Sequence, residues 1–237
     1  AYDRYDYDYT IGKLIHMRNH YTYFFDPRAM KWDSLRIRNH PDMTTSGYYV
    51  SHTMTPHGMV VWSARGISSS PSNFDLYLFN TDSMKWSKLS ATGRNLIDNY
   101  SDRSGAVYDS RRDRLIMLNT STSTNPVMIA YNFQTGMVSD IIPTNNNTIT
   151  GVDRFRESVY LPDLDIILYQ AEIGGNKVIY DCTANEWKLV NIPKGSGVGG
   201  TDSRSSGYMY DAKRGIIWDS ETNCQTYALK LTAGHVG

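Results

Sequence analysis

The chain is predicted to be all-β, a β-propeller of four-stranded antiparallel blades with five repeat units visible. Three observations carry that. The first is an aromatic–turn–Trp unit that recurs. It reads Phe25-Asp26-Pro27-Arg28-Ala29-Met30-Lys31-Trp32, then Phe79-Asn80-Thr81-Asp82-Ser83-Met84-Lys85-Trp86, then Tyr180-Asp181-Cys182-Thr183-Ala184-Asn185-Glu186-Trp187. A degraded copy starts at Phe133, with Gln134, Thr135 and Gly136 in the turn and Asp140 in place of Trp. An aromatic closes an apolar run, turn-formers follow, and an aromatic opens the next short run, which is strand, tight turn, strand. The second observation is the spacing of about fifty residues, the length of one four-stranded propeller blade. The third is that no stretch holds a helical period.

A second feature precedes each of these units. It reads Tyr7-Asp8 then Leu14-Ile15-His16-Met17, His52-Thr53 then Met59-Val60-Val61-Trp62, and Tyr108-Asp109 then Leu115-Ile116-Met117-Leu118. The series continues with Tyr160-Leu161 then Ile166-Ile167-Leu168-Tyr169, and Tyr210-Asp211 then Gly215-Ile216-Ile217-Trp218. Each is strand, polar turn, apolar strand, so it supplies strands a and b, and the aromatic–turn–Trp unit supplies c and d. The units cover about 2–37, 47–91, 103–142, 155–191 and 205–231 of a single domain spanning 1–237. The fifth ends in Thr226-Tyr227-Ala228-Leu229-Lys230-Leu231, which reads as strand c, with no Trp-bearing strand d after it. Two expectations follow. Either the N-terminal Tyr2–Asp6 segment completes the last blade, or the chain is a piece of a longer propeller.

Composition narrows the function classes. The chain has 237 residues, 40% hydrophobic, enough for one globular domain or one repeat array. Formal net charge is +0, so no basic field invites nucleic acid and no polybasic run invites a membrane surface. No apolar run approaches the ~20 residues of a membrane-spanning helix. Cys182 and Cys224 are the two cysteines, free to pair but too few for a disulfide framework or a thiolate zinc site. No cofactor or metal is expected, since no phosphate loop or paired-His motif is present and His16, His20 and His40 are scattered. The pair Gly174-Gly175 reads as a hairpin turn.

The units resemble the kelch-like β-propeller superfamily over nearly the whole chain, on Tyr108-Asp109-Ser110-Arg111-Arg112-Asp113-Arg114-Leu115 and the Trp-terminated units. The departure is the missing double glycine after strand b, where Leu118-Asn119-Thr120 and Trp62-Ser63-Ala64 stand instead. The resemblance implies binding at the channel mouth, on the d–a and b–c loops.

Two patterns mark that mouth. Asp–Arg sequences precede four of the five a strands, bringing Arg4, Arg103, Arg154 and Arg204. They hold neighbouring blades together, or they form a guanidinium ring matched to carboxylates and sulfates. The second unit breaks the pattern with Ser46-Gly47-Tyr48-Tyr49-Val50-Ser51-His52, and His52 stands in the column that Tyr7, Tyr108, Tyr160 and Tyr210 fill elsewhere. His52 is either a polar variant of a half-buried Tyr or a proton-transfer group. His57, in the a–b turn, is expected to be solvated. With Tyr100 and Arg103 in the next loop, His52 makes a trio suited to β-elimination beside a uronate carboxylate. Arg103 neutralises the carboxylate, and Tyr100 and His52 serve as base and acid. The segment from His52 through Pro56-His57-Gly58 to Trp62, followed by Tyr108–Arg114, is similar to propeller polysaccharide lyases that cut ulvan-like uronate polymers. That resemblance spans two blades and implies those roles. Tyr48, Arg4, Arg154 and Arg204 are then ligand-binding residues. The expected partner is an acidic polysaccharide or acidic peptide, in a secreted or periplasmic setting. The alternative is a kelch-type protein-interaction module without catalysis.

Overall fold

The structure, a computed structural model, describes residues 6–18, 21–36, 50–63, 76–94, 105–119, 127–149, 158–192, 207–220 and 226–236. Five separate sheets account for nearly all of them, and they are the blades of a five-bladed β-propeller. The chain falls into two compact units, Ala1–Asp102 with Tyr131–Ser139, and Arg103–Ala130 with Asp140–Gly237.

In the first unit, one sheet takes the order β1 (Asp6–Asp8), β2 (Lys13–Arg18), β3 (Tyr21–Asp26), β4 (Lys31–Leu35). The next takes the order β5 (Val50–Thr55), β6 (Gly58–Ser63), β7 (Leu76–Asn80), β8 (Lys85–Lys88), followed by the short β9 (Thr92–Gly93). All neighbours in these two sheets are antiparallel. Ile15, Met17 and Phe24 of the first sheet interlock with Met59, Val61, Phe79 and Trp86 of the second. Trp86 also donates its indole N–H to Thr22 Oγ1 at 3.1 Å. Period-two alternation places these residues on facing sides of two sheets, and burial of that apolar area stabilises by ~25 cal/mol per Å².

The third sheet contains β10 (Gly105–Asp109), β11 (Arg114–Asn119), β12 (Val127–Asn132) and β13 (Met137–Ile141), with β9 added in parallel along the edge of β13. After a 3-10 turn at Asn146–Ile149, the fourth sheet takes the order β14 (Ser158–Leu161), β15 (Ile166–Ile173), β16 (Asn176–Asp181), β17 (Glu186–Val190). The fifth shows β18 (Gly207–Asp211), β19 (Ile216–Ser220) and β20 (Thr226–Leu229), then the helical turn α1 (Ala233–Val236). No fourth strand joins it among the described residues. Asp6 pairs with Ile15 in strand a of its own sheet. Tyr2 to Tyr5 lie outside the described residues.

Both faces of the fourth sheet are covered. Tyr160, Ile167, Tyr180 and Trp187 pack with Val107, Ile116, Leu118 and Met128. On the other face Val159, Leu161, Ile166 and Leu168 pack with Ile217 and Leu231. Strands a lie side by side within each unit, β1 against β5, β10 against β14, and β14 against β18.

The turns explain why such different sequences give one hairpin. In the c–d turns an Asx side chain opens the turn. Asp26 Oδ1 accepts from Arg28 N and Ala29 N, Asn132 Oδ1 from Gln134 N and Thr135 N, and Asp181 Oδ1 from Thr183 N and Ala184 N. Asn80 Oδ1 takes Ser83 N. Four residues after that Asx, a residue adopts positive φ: Met30 at 52°, Met84 at 53°, Gly136 at 69°, Asn185 at 55°. Met84 is held there by packing against the apolar core of the first two sheets. The Gly174-Gly175 turn is a hairpin with φ of 57° and 82°, the primed geometry that matches strand twist.

Two sequence registers are corrected. The degraded third copy begins at Tyr131 rather than Phe133, because the turn-opening Asx is Asn132 and the positive-φ residue is Gly136. Buried Val138, not Asp140, therefore stands at the Trp position. In the second sheet, Thr55 pairs with Gly58, so the a–b turn has two residues where the other sheets use four. Gly58 is required there, since a Cβ would lie 2.3 Å from the Phe79 carbonyl oxygen. The residue aligned with Tyr7, Tyr108, Tyr160 and Tyr210 is consequently Met54, which faces Met59 as Tyr7 faces Leu14. His52 lies two residues earlier, in the column of Ala106, Ser158 and Tyr208.

Candidate functional site

The site begins with the pairing of β1 and β5. Two residues apart on a strand means the same face, so His52 and Met54 both look toward the first sheet. Met54 joins the apolar core, and His52, one step nearer the start of the strand, meets Asp6. His52 Nδ1 and Asp6 Oδ2 are in short hydrogen-bond contact. The side chains are 7% and 22% exposed, so the pair is largely enclosed while the carboxylate keeps some access to water.

An ionised carboxylate only accepts, so Nδ1 carries the proton in this contact. In the neutral ring Nε2 then holds the lone pair and is the atom able to accept a proton or a hydrogen bond. Asp6 fixes the ring's orientation and compensates positive charge if His52 is protonated. This is the arrangement of a base oriented by a third group. Sequence reasoning missed Asp6, because its partner lies forty-six residues further along the chain.

The other predicted residues, Tyr48, Tyr100, Arg103, Arg4, Arg154 and Arg204, lie outside the described residues. His57 is exposed, as expected, and makes two contacts besides. Its ring stacks on Phe133 at 4.4 Å between centroids with 16° between planes, and its amide donates to Thr55 Oγ1.

A second polar constellation occupies the turn side of the other unit. Asp109 is fully buried and accepts from Arg112 at 3.1 Å and from Arg114 Nε at 2.8 Å. Arg112 forks onto Asp165 at 2.9 and 2.6 Å, and Asp165 also accepts from Tyr160 and Thr183. Arg112, beside Asp165, holds its carboxyl far below the ordinary value of 3.8, with Thr183 and Tyr160 adding to the effect against the opposing influence of burial. Burial and the bond to Asp165 push the Tyr160 phenol well above its usual range. The carboxylates are saturated with donors, so the cluster acts as a clasp between the turns of the third and fourth sheets. Cys182 beside it is a buried free thiol, pushed up to about 12 chiefly by burial, and so inert as a nucleophile. Cys224 lies outside the described residues. Among those residues no group of His, Cys, Asp and Glu is arranged to hold a metal ion.

No protein-family model matches this sequence, and no curated protein matches it. Solved structures do. TolB from Acinetobacter baumannii superposes with TM-score 0.52 at 11% identity, covering 95% of this chain and 53% of that one. The luciferin-regenerating enzyme gives TM-score 0.56 at 10% identity, with coverages of 96% and 71%. A chain of the nidogen/laminin complex gives 0.55 at 7% identity, with coverages of 92% and 73%. This chain thus spans about half the length of TolB. At such identities the likeness establishes the fold, and the neighbours' functions are diverse. The class that fold and site define is a five-bladed β-propeller with a His–Asp pair between the innermost strands of two adjacent blades.

Proposed function

We propose that this propeller is a carbohydrate-directed protein that binds an acidic polysaccharide where its a strands begin, and cleaves it there by β-elimination. The observation that carries the proposal is the His52–Asp6 pair, an oriented imidazole on β5 against a carboxylate of the neighbouring a strand β1. In the elimination, a base removes the proton beside the uronate carboxylate. A carbon–carbon double bond forms as the bond to the leaving oxygen breaks, and an acid protonates that oxygen. Tyr100 and His52 are the base and acid of this scheme, and Arg103 neutralises the carboxylate that stabilises the developing charge. Tyr48, Arg4, Arg154 and Arg204 extend the binding surface along an acidic chain.

The test is incubation of the protein with a panel of uronic-acid polymers, followed at the absorbance band of unsaturated uronates. Cleavage is expected, with His52→Ala and Tyr100→Phe each lowering turnover roughly 10²–10⁴-fold. Arg103→Ala should cost a similar factor. Cleavage unaffected by all three substitutions overturns the assignment of roles. No cleavage, but a polymer-induced rise in melting temperature that Arg103→Ala abolishes, reduces the function to binding. Neither signal leaves a kelch-type protein-interaction module.

A further inference from the structure

The c strands of the first four sheets share a position four residues before the turn-opening Asx. Thr22, Leu76 and Met128 fill it with buried neutral side chains. In the fourth sheet the same position is Lys177. Its ammonium lies 2.7 Å from Glu172 Oε1 and 3.4 Å from the Gln170 carbonyl oxygen, and 5.9 Å from the ring centroid of Tyr208. A half-buried ion pair at a place where Thr, Leu and Met serve as well is not needed for stability, because such pairs roughly break even against apolar packing.

The backbone is built to make the pair. Register slips between Leu168 and Glu172, and this bulge sets Glu172 directly opposite Lys177. β15 runs eight residues, longer than any other strand b. Bulges of this kind re-aim side chains next to binding sites. Tyr208 stands in its sheet where His52 stands in its own, two residues before the column of Met54 and Tyr210.

We infer that Lys177, held by Glu172 and the Gln170 carbonyl over the ring of Tyr208, is a subsite for the carboxylate of a uronic acid. This rests on the polysaccharide reading above. Lysine has three N–H donors, and the two contacts orient the ammonium while a further donor serves the ligand. Glu172 balances the charge of the empty subsite and competes with the ligand carboxylate for the same ammonium.

That competition makes the test one of sign. Calorimetric titration of the full chain with a short oligogalacturonate, at low and at physiological salt, is expected to show binding by the wild type. Lys177→Gln should weaken it roughly tenfold, the share of one charge-assisted hydrogen bond, and flatten its salt dependence. Glu172→Gln should tighten it, which a merely structural ion pair would not do. Thermal melts accompany both variants, and if Lys177→Gln does not fold, the Glu172→Gln result decides. Wild-type binding that neither substitution changes overturns the subsite and leaves the polysaccharide reading standing. Absence of wild-type binding overturns both.

Discussion

Trp32 and Trp187 hold the same place in their sheets and live in opposite environments. Trp32 faces Phe25 across β3 and β4, and Trp187 faces Tyr180 across β16 and β17. Trp187 is 2% exposed and Trp32 is 54% exposed. The difference lies in what surrounds each strand. Trp187 packs on the third sheet's apolar face, and the Asn145 side chain brackets its backbone, accepting from its N–H at 2.7 Å and donating to its carbonyl at 2.8 Å. Every residue of β4 is exposed. The a–b turns of the same two sheets diverge likewise. At the positive-φ position the fourth sheet carries Asp165, clasped by Arg112, and the first carries Gly12. A repeat therefore fixes pairing and turn geometry within a blade, and the energy of a given side chain depends on the neighbouring blade.

Trp187→Ala should break this comparison most severely, costing ~3–5 kcal/mol through lost burial and the cavity left behind. Urea denaturation measures it, and a loss no larger than that of an exposed residue would contradict the packing described.

Next comes the clasp. Asp165→Ala removes the acceptor that Arg112, Tyr160 and Thr183 share, leaving Arg112 on Asp109, and should cost ~1–3 kcal/mol at neutral pH. The folded-state pKa of Asp165 is depressed, so its stabilisation is fully present above the ordinary carboxylate value. It is lost as the pH falls below about 4 toward the folded-state value. The substitution should accordingly matter least in strong acid. An unchanged difference between wild type and variant across that range would remove the clasp from the stability account.

The smallest effect belongs to Trp32→Ala, which should shift stability by no more than ~0.5–1 kcal/mol because half the ring is already in water. A loss matching that of Trp187→Ala would show that equivalent register implies equivalent burial after all.

The candidate site was legible only in part. His52 stood out because it was aligned with Tyr7, Tyr108, Tyr160 and Tyr210, a column that Met54 fills in the structure. Its column was misread because a two-residue turn at Pro56-His57 shortens the hairpin, and only the pairing of Thr55 with Gly58 reveals it. Asp6 and the Glu172–Lys177 pair carried no local signal of partnership. Asp6 meets a residue forty-six positions away, and Glu172 meets Lys177 through a bulge that no residue type announces.

By itself the sequence determined the strand types, the blade period and most turns. These rest on alternation, Asx and Gly chemistry and aromatic spacing, which act over a few residues. Tertiary structure decided which Trp is buried, which carboxylate is clasped and which histidine gains a partner. Those outcomes depend on side chains meeting between sheets, at sequence separations where local propensity has no influence.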